Sequence, residues 1–571
     1  MGRYLHDLRF SRATLVPDVM AGLTVALVSI PEGMAYAMIA GVNPVYGLYT
    51  GMVTTIVASL TVSTSLMVVT LTNALALVTA DQLGALGSDV DPVRAMFTLT
   101  LLTGAIMFVL GLLRLGSVIR FVSREVMSGF VFATALLVAL GQYKDLVGYA
   151  SHLETNKLFK AIDITLHWRE WQWNTVIVGV GVIGLLLLLQ RTLLRKWADI
   201  VAIGAASAFV ALAGWGTVEV VGDIAQVPHG LSALPKPVLP DFQAAPLLLA
   251  GAFAAAVVAL AESSGAGAAY PNRDGSRPDM SQDFAGLGLG NLAGAFFQAM
   301  PAGGSLSRTG IAASSGGQTR WAGVFAGLLM AVVLMVAGGL AGMIPMTSLA
   351  AMLIVIGVEV TIREGRELAV AWKVSKRNTL TALVTILVGV FSDLTAAIFA
   401  GVILSLLLFA FTKAGSFRVV QWVRTADGAW EEQPVPRQLP SNQATVIALD
   451  GNVYFASVYS FDDLWPATEG TTNAVLILHL RDRTIYSLTG VEWSIKSAGE
   501  MQARGIRVMV SGVDPETMAL MERVGLVDLL GRDSIFLSTP RLGESTARAL
   551  SAAEAWIARG GSSQAMEIGK E

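Results

Sequence analysis

The chain has 571 residues, of which 54% are hydrophobic and only 14% are charged, and its mean hydropathy is +0.62. These proportions exclude an ordinary soluble globular protein and indicate a membrane protein. A net charge of −3 gives no reason to expect a nucleic acid as a partner. Cysteine is absent and the five histidines show no ligand-like spacing, so we predict no disulfide, no metal, no other cofactor and no enzyme activity.

The first apolar run, residues 17–40, carries a glutamate in its middle, Glu32, between Pro31 and Gly33. Basic residues before the run give it a superficial likeness to a signal peptide, but Pro31 and Glu32 would spoil the apolar core of such a peptide. We therefore interpret it as a first membrane span that is interrupted near Pro31. An ionisable group inside a membrane usually faces a cavity or a partner and marks a path for ions, protons or substrate. The alternative is a structural carboxylate bonded to nearby backbone.

Apolar runs and helix breakers predict about fourteen membrane segments. Lysine and arginine gather in alternate connections, which predicts a multi-pass protein of the cell (inner) membrane with both termini in the cytoplasm. The connection 142–172, where charges of both signs are mixed, is an exception. The predicted segments are 17–40, 44–62, 66–80, 95–113, 119–141, 173–190, 198–219, 245–262, 283–299, 305–315, 320–343, 347–361, 379–392 and 395–412.

The third and the tenth segments are short, and each follows small or β-branched residues, at 68–73 and 301–308. This pattern predicts an extended stretch that leads into a half-helix. The two segments hold the third position in two sets of seven spans. Paired interrupted segments indicate repeated halves with a binding site at the midplane, and an odd number of spans in each half requires the halves to be inverted.

Two half-helix N-termini that face each other present free N–H groups and positive dipole ends, which attract an anion. The predicted substrate-binding residues are Glu32, Tyr36, Thr72, Asn73, Ser305, Leu306, Ser307 and Arg308, with Glu262 as a second candidate carboxylate. Three alternatives stay open. Arg308 could form a structural pair with Glu32 or Glu262, Thr72 and Asn73 could be helix caps, and Tyr36 could be a packing residue.

Glu32 is also the predicted proton-coupling group, because a carboxylate in a low-dielectric cavity resists ionisation and can hold a proton near neutral pH. A neutral Glu32 tolerates an anion nearby, whereas an ionised one repels it, so proton and anion favour each other's binding. These residues favour a proton-coupled anion symporter. An anion exchanger or channel without a coupling group, and a membrane sensor that acts through its soluble tail, stay open as alternatives.

The run Gly179–Gly184 fits a dinucleotide-binding motif, and Asp199 follows at the distance of a ribose-binding acid. Apolar residues up to Leu189 prolong the run into a helix long enough to be a span. We reject a nucleotide site there, because no βαβ context surrounds the motif.

A series of short motifs extends over most of the chain. They are Pro31–Ala37, Ala40–Tyr49, Gly111–Gly116, Phe121–Ser123, Val126–Phe130, Gly303–Thr309 and Gly316–Thr319. In this order they resemble sulfate permeases, the SulP or solute carrier family 26 group. Three positions depart from the family pattern: Glu32 stands where glutamine is common, Thr70–Leu71 replaces a Gly-Pro pair, and the tract 279–283 replaces Asp-x-Asn-Gln-Glu.

The resemblance implies an all-α membrane domain over 17–415 of the UraA-like kind, with inverted repeats of seven spans at about 17–219 and 245–412. A core made of the first four spans of each repeat would move like an elevator against a gate made of the others, in a homodimer. The anion would lie between the first, third, eighth and tenth spans. A dicarboxylate such as fumarate, or sulfate, is the favoured substrate, and sodium-coupled bicarbonate symport is the alternative.

The tail changes character after a linker at 416–442, and alternating strand and helix patterns predict a cytoplasmic α/β module over 443–560. Residues Asn452–Ala456, Arg523–Leu526 and Ser534–Phe536 of this module resemble the STAS domain. In the related anti-sigma antagonists a phosphorylated serine stands where this chain has Leu488, so we predict no phosphorylation switch there. The resemblance implies a regulatory protein or a nucleotide as the partner.

The termini, 1–16 and 561–571, are predicted to lie outside the folded parts, the latter as a loose end.

Overall fold

The computed structural model describes residues 12–87, 89–116, 122–153, 155–272, 275–414, 418–450, 464–480 and 488–560, in two compact units that meet in sequence at Leu406 and Leu407. Some features discussed above lie outside the described residues. They are residues 1–11, Phe121, the motif Asn452–Ala456 and the loose end 561–571.

In the first unit, a helix occupies each of the fourteen predicted positions, and α6, α7 and α10 lie in the connections between spans. The helices are α1 Arg12–Ile39, α2 Pro44–Thr61, α3 Asn73–Gly84, α4 Pro92–Leu112, α5 Arg124–Gly141, α6 Tyr143–Val147, α7 Lys157–Leu166, α8 Trp173–Leu189, α9 Ala198–Ala213, α10 Val221–Ile224, α11 Ala245–Ala269, α12 Met280–Phe296, α13 Leu306–Ser314, α14 Trp321–Ala341, α15 Met346–Val374, α16 Lys376–Phe391 and α17 Leu394–Ala414.

By length and apolar composition alone, seven helical stretches of the described residues are able to cross a membrane. The spans form two inverted sets of seven, α1–α5 with α8 and α9, and α11–α17. We call the face of this unit at which α1 begins the near face, and the face at which α1 ends the far face. The seven stretches are Thr14–Ile39, Pro92–Leu112, Arg124–Val147, Phe242–Ala269, Trp321–Ala341, Met346–Val374 and Leu394–Phe411.

The predicted interruption of the first span near Pro31 is wrong, because α1 is continuous from Arg12 to Ile39. Pro31 removes one backbone donor, a loss that membrane helices tolerate. Gly33 serves packing: a Cβ on Gly47 of α2 would lie 1.9 Å from the Gly33 carbonyl oxygen. The two glycines therefore allow α1 and α2 to cross in backbone contact.

The extended stretches before the two short helices are confirmed. Strand β1, Val69–Thr70, pairs antiparallel with β2, Gly303–Gly304, and α3 and α13 begin directly after them. The backbone of β2 lies against α11, since a Cβ on Gly304 would be 2.8 Å from both the Cα and the Oγ of Ser263. Ser263 Oγ accepts a hydrogen bond from the Gly304 N–H at 2.8 Å. Only a residue without a side chain fits there.

Substituting Gly304 with alanine is therefore expected to lower the thermal stability of the protein, by about 1–3 kcal/mol, because the added methyl group overpacks a buried contact. Unfolding of the purified protein followed by tryptophan fluorescence measures the loss. Gly184→Ala in α8 is the matched control, since nothing lies within 4 Å of its Cβ position. Equal stability of the two variants would contradict the close packing of β2.

The second unit is a mixed sheet with helices on both faces, in strand order β4-β3-β5-β6-β7-β8. The segment predicted as a linker carries β3 and β4, which extend the sheet as antiparallel edge strands. Leu488 begins α18. Helices α18–α20 cover one face and α21 the other. The elements are β3 Arg418–Arg424, β4 Trp430–Pro434, β5 Ala444–Asp450, β6 Val475–His479, α18 Leu488–Ala503, β7 Arg507–Val513, α19 Pro515–Arg523, α20 Leu526–Leu530, β8 Ile535–Leu537 and α21 Glu544–Ala558.

Candidate anion site

The candidate site lies where α3 and α13 begin, on either side of the β1–β2 pair. Each helix has a hydroxyl cap that accepts a backbone N–H three residues further on: Thr72 from Leu75 at 3.4 Å, and Ser305 from Arg308 at 3.3 Å. The Ser305 N–H in turn donates to the Val68 carbonyl at 2.9 Å. The two positive helix ends are thus fixed beside each other.

Arg308, in the first turn of α13, reaches across to α1 and forms an ion pair with Glu32, with 2.5 Å between Nη2 and Oε2. Both side chains are buried, with 2% and 6% of their surface exposed. The Nη2 group makes no aligned hydrogen bond, so the pair is a contact between charges. Of the two carboxylates that the sequence left open as a structural partner of Arg308, Glu32 is the one that pairs with it in this structure.

The rest of the guanidinium is held by oxygen acceptors. Nε donates to Ser29 Oγ at 2.9 Å, and Nη1 donates to the Leu71 carbonyl at 3.2 Å. The ring of Tyr36 lies 5.7 Å from the guanidinium carbon, within range of a cation–π contact. Tyr36 therefore belongs to the surroundings of the cation, and it is also buried in the apolar core, so the packing alternative is present as well.

Thr72 has a second role besides capping α3. Its hydroxyl donates to Glu262 Oε2 of α11 at 2.9 Å. The second candidate carboxylate is thereby attached to the first half-helix, whereas Glu32 is attached to the second one. Each half-helix N-terminus consequently has one carboxylate from an adjacent span in contact with its first residues.

Three of the predicted residues make no side-chain hydrogen bond among the described residues. Asn73 is half-buried in the first turn of α3, and Leu306 and Ser307 are exposed in the first turn of α13. Their position at the helix ends agrees with the prediction, but the structure gives them no partner within the site. The amide of Asn73 and the hydroxyl of Ser307 are donors that a ligand could use.

Sequence reasoning missed two polar residues near the pair, Ser29 and Asp199. Ser29 precedes Glu32 by three positions, so helical spacing would have found it had α1 been taken as continuous. Asp199 of α9 lies close enough to Glu32 for their charges to interact. As an acid at the start of a span it could have been singled out, but we considered it only within the rejected nucleotide motif.

The arrangement combines one cation, two nearby carboxylates and two helix N-termini. With Glu32 ionised, the charge of Arg308 is compensated, and an anion has to compete with Glu32 for the guanidinium. A proton on Glu32 removes the competitor and makes the net charge of the site more positive by one unit. Among the described residues, no group of three metal-binding side chains occurs.

Comparison with known proteins agrees with this fold. The chain is 28% identical over 550 residues to the probable sulfate transporter 4.2 of Arabidopsis thaliana, covering 91% of this chain and 79% of the relative. The murine Solute Carrier 26 family member A9 anion transporter superposes with a TM-score of 0.82 at 19% identity, over 97% of this chain and 94% of the other. The transmembrane domain of a cyanobacterium bicarbonate transporter gives 0.59 at 18% identity, over 70% and 98%.

Two family descriptions match the two units separately. The STAS domain description matches residues 435–541, which contain strands β5–β8 and helices α18–α20 of the second unit. The description of the sulfate permease family matches residues 15–385, which contain the whole candidate site. The chain therefore belongs to the sulfate permease family and carries a STAS domain.

Proposed function

We propose that this protein is a proton-coupled symporter of a small anion, with Arg308 and the ends of α3 and α13 as the anion site and Glu32 as the coupling acid. The observation that carries the proposal is the buried contact between Arg308 and Glu32, since it makes a carboxylate and a transported anion alternative partners of one guanidinium. Family membership supports anion transport as the general activity.

The coupling follows from charge alone. An anion that approaches while Glu32 is ionised meets the neutral ion pair of Arg308 and Glu32, and the carboxylate of Glu32 repels it. A proton on Glu32 releases the guanidinium, and the anion then binds to an uncompensated Arg308 in a low-dielectric setting. By linkage, the anion raises the proton affinity of Glu32 as much as the proton raises the anion affinity. Proton and anion therefore cross together.

Glu262 is proposed as a second acid of the same site. Its carboxylate accepts from Thr72 at the N-terminus of α3, and ionised it would repel an anion placed between the helix ends. A dianion such as sulfate or fumarate would then bind more tightly when both Glu32 and Glu262 are protonated. This reasoning favours a dianion over a monoanion.

We propose that the near face is cytoplasmic and the far face is outside, since arginine and lysine gather in the connections on the near face. The anion would enter from the far face and leave on the near face. A homodimer, and a protein or nucleotide that binds the STAS domain, stay predictions from the resemblance.

The proposed movement is an elevator step of a core, α1–α4 with α11–α14, against a gate of α5–α9 with α15–α17. Polar contacts join the two on the far face. Asp81 Oδ2 of α3 accepts from the Leu394 N–H at 2.9 Å, and Gln82 Nε2 donates to Thr395 Oγ1 at 3.1 Å. An elevator step that moves α3 along the gate has to break these contacts.

Gln82 and Thr395 are both replaced by cysteine and joined by a short thiol-reactive cross-linker that reduction can remove. We expect the cross-link to reduce uptake on the order of tenfold, because it blocks reorientation and product release. Reduction should restore it. The chain has no cysteine of its own, so no background thiol interferes. Cysteines at Ser151 and Asp163, whose side chains bond at 2.6 Å within one connection of the gate, are the control pair. Full uptake by the cross-linked Gln82–Thr395 protein would contradict the elevator step.

The function itself is tested with purified protein in liposomes under separately imposed proton, sodium and voltage gradients. Sulfate uptake driven by an inward proton gradient, and reduced by fumarate in competition, is the expected result. Uptake of bicarbonate driven only by sodium would instead establish the alternative symport. Uptake that follows the anion gradient alone would identify an exchanger or channel.

A further inference from the structure

Apart from the candidate anion site, a polar cavity of about 760 Å³ opens on the far face of the first unit. It lies between the start of α2, the connection from α9 to α11 and the end of α14. None of the residues assigned above to the candidate site lines it. Its lining includes Tyr46, Tyr49, Lys236 and Gln298.

Tyr49 is the most informative of these residues. Only 6% of the surface of this residue is exposed. Its ring packs edge-on against Tyr46, and the residue lines the cavity. Its hydroxyl has no hydrogen-bond partner among the described residues, so it is a donor that a ligand in the cavity could use.

The other polar groups of the cavity are also donors. Two hydrogen bonds hold the connection that carries Lys236 against the end of α12. The Lys236 N–H donates to Gln298 Oε1 at 3.4 Å, and the Val238 N–H donates to the Phe296 carbonyl at 2.8 Å. The oxygen of the Gln298 amide is thereby occupied, while its N–H₂ group has no partner among the described residues. Lys236 Nζ forms no ion pair among them either.

The charge of the cavity is positive. Among its described lining residues none is acidic, whereas Lys236 carries a full charge and His229 adds one when protonated. Asp223, next to the lining residue Gly222, directs its carboxylate to the Val220 N–H at 2.9 Å. The N-terminus of α2, capped by Asn43, also faces the cavity and contributes its positive dipole end.

We infer that this cavity is an outer capture site, which binds the small anion by Lys236, Tyr49 and Gln298 before it passes to the Arg308 site. The inference rests on the proposed function, in that the ligand is the transported anion. A site of this kind raises the local anion concentration at the outer mouth of the path. The capture site affects the rate of uptake when the outside anion concentration is low, and it leaves the coupling step at Glu32 unchanged.

The test compares sulfate uptake from outside with sulfate efflux in vesicles of uniform orientation. Lys236→Gln is expected to raise the KM for outside sulfate roughly three- to tenfold with an unchanged Vmax, since one charge at the mouth of a path changes capture more than turnover. Tyr49→Phe, which keeps the buried ring, is expected to raise it by a smaller factor. Lys236→Arg should preserve the wild-type KM, and the KM for inside sulfate should stay constant in every variant.

Lys160→Gln is the control, because this lysine lies in α7 on the same face and does not line the cavity. Unchanged outside KM values in both Lys236→Gln and Tyr49→Phe would overturn the inference alone. So would equal changes on the two sides of the membrane, or the same change in Lys160→Gln. Wild-type vesicles that take up no anion under any gradient would overturn the proposed function, and the capture site with it.

Discussion

Replacing Glu32 with glutamine is expected to reduce uptake driven by a proton gradient strongly while exchange of anions across the membrane continues. Glutamine has nearly the same shape and can lie beside Arg308 in place of the carboxylate, but it has no proton to gain or lose. The guanidinium then keeps an uncompensated positive charge at every pH. Anion binding should therefore lose the part of its pH dependence that Glu32 supplies. For coupling energies of typical size, this part is a change in affinity of about 5- to 150-fold.

Two measurements separate this result from a general defect. Uptake of labelled sulfate under an inward proton gradient should fall far below the wild-type rate in Glu32→Gln, while exchange of labelled for unlabelled sulfate at equal pH should persist. Glu219→Gln, which removes an exposed carboxylate on the far face, should behave like the wild type. Acid-driven uptake with an unchanged pH profile in Glu32→Gln would refute the coupling role.

Replacing Arg308 with glutamine is expected to eliminate uptake at every pH and also to destabilise the protein. The substitution leaves Glu32 buried without its cation, and breaking a buried ion pair from one side costs about 3–5 kcal/mol. It also removes the only full positive charge described in contact with the two half-helix ends. Thermal unfolding and sulfate uptake of the same preparation measure the two effects.

The double variant Glu32→Gln/Arg308→Gln separates stability from binding. Two neutral amides can bond to each other, so the double variant should regain most of the lost stability while uptake stays absent. Arg308→Lys keeps the charge but presents a point ammonium in place of a planar fork, and should retain weak uptake. Normal uptake by Arg308→Gln would show that the anion does not use this guanidinium.

Much of the membrane fold could be predicted from the sequence, because hydrophobic runs and breakers are local signals. The extended stretches at 68–73 and 301–308 were recognisable because small and β-branched residues precede short apolar segments. The continuity of α1 was not recognisable in this way. Pro31 and Gly33 are helix breakers in water, but in this unit α2 packs against Gly33, and the lipid environment keeps the backbone helical.

The sequence allowed us to predict which residues belong to the candidate site, but not which of their side chains contact each other. The pairing of Arg308 with Glu32 joins residues 276 positions apart and depends on the crossing of α13 with α1, which no local pattern specifies. The same holds for the bond between Thr72 and Glu262, 190 positions apart. Strand β3 was predicted as linker because its charged ends and short length give a weak strand signal, and only pairing with β5 defines it.

The most direct test of the competition between Glu32 and an anion for Arg308 is proton uptake on anion binding. Sulfate is added to the purified protein in weakly buffered solution near neutral pH, and the change in pH is recorded. We predict that the wild-type protein takes up protons as sulfate binds and that Glu32→Gln takes up fewer or none, by linkage. Sulfate binding by the wild type without any proton uptake, or with the same uptake in Glu32→Gln, would contradict the proposed coupling.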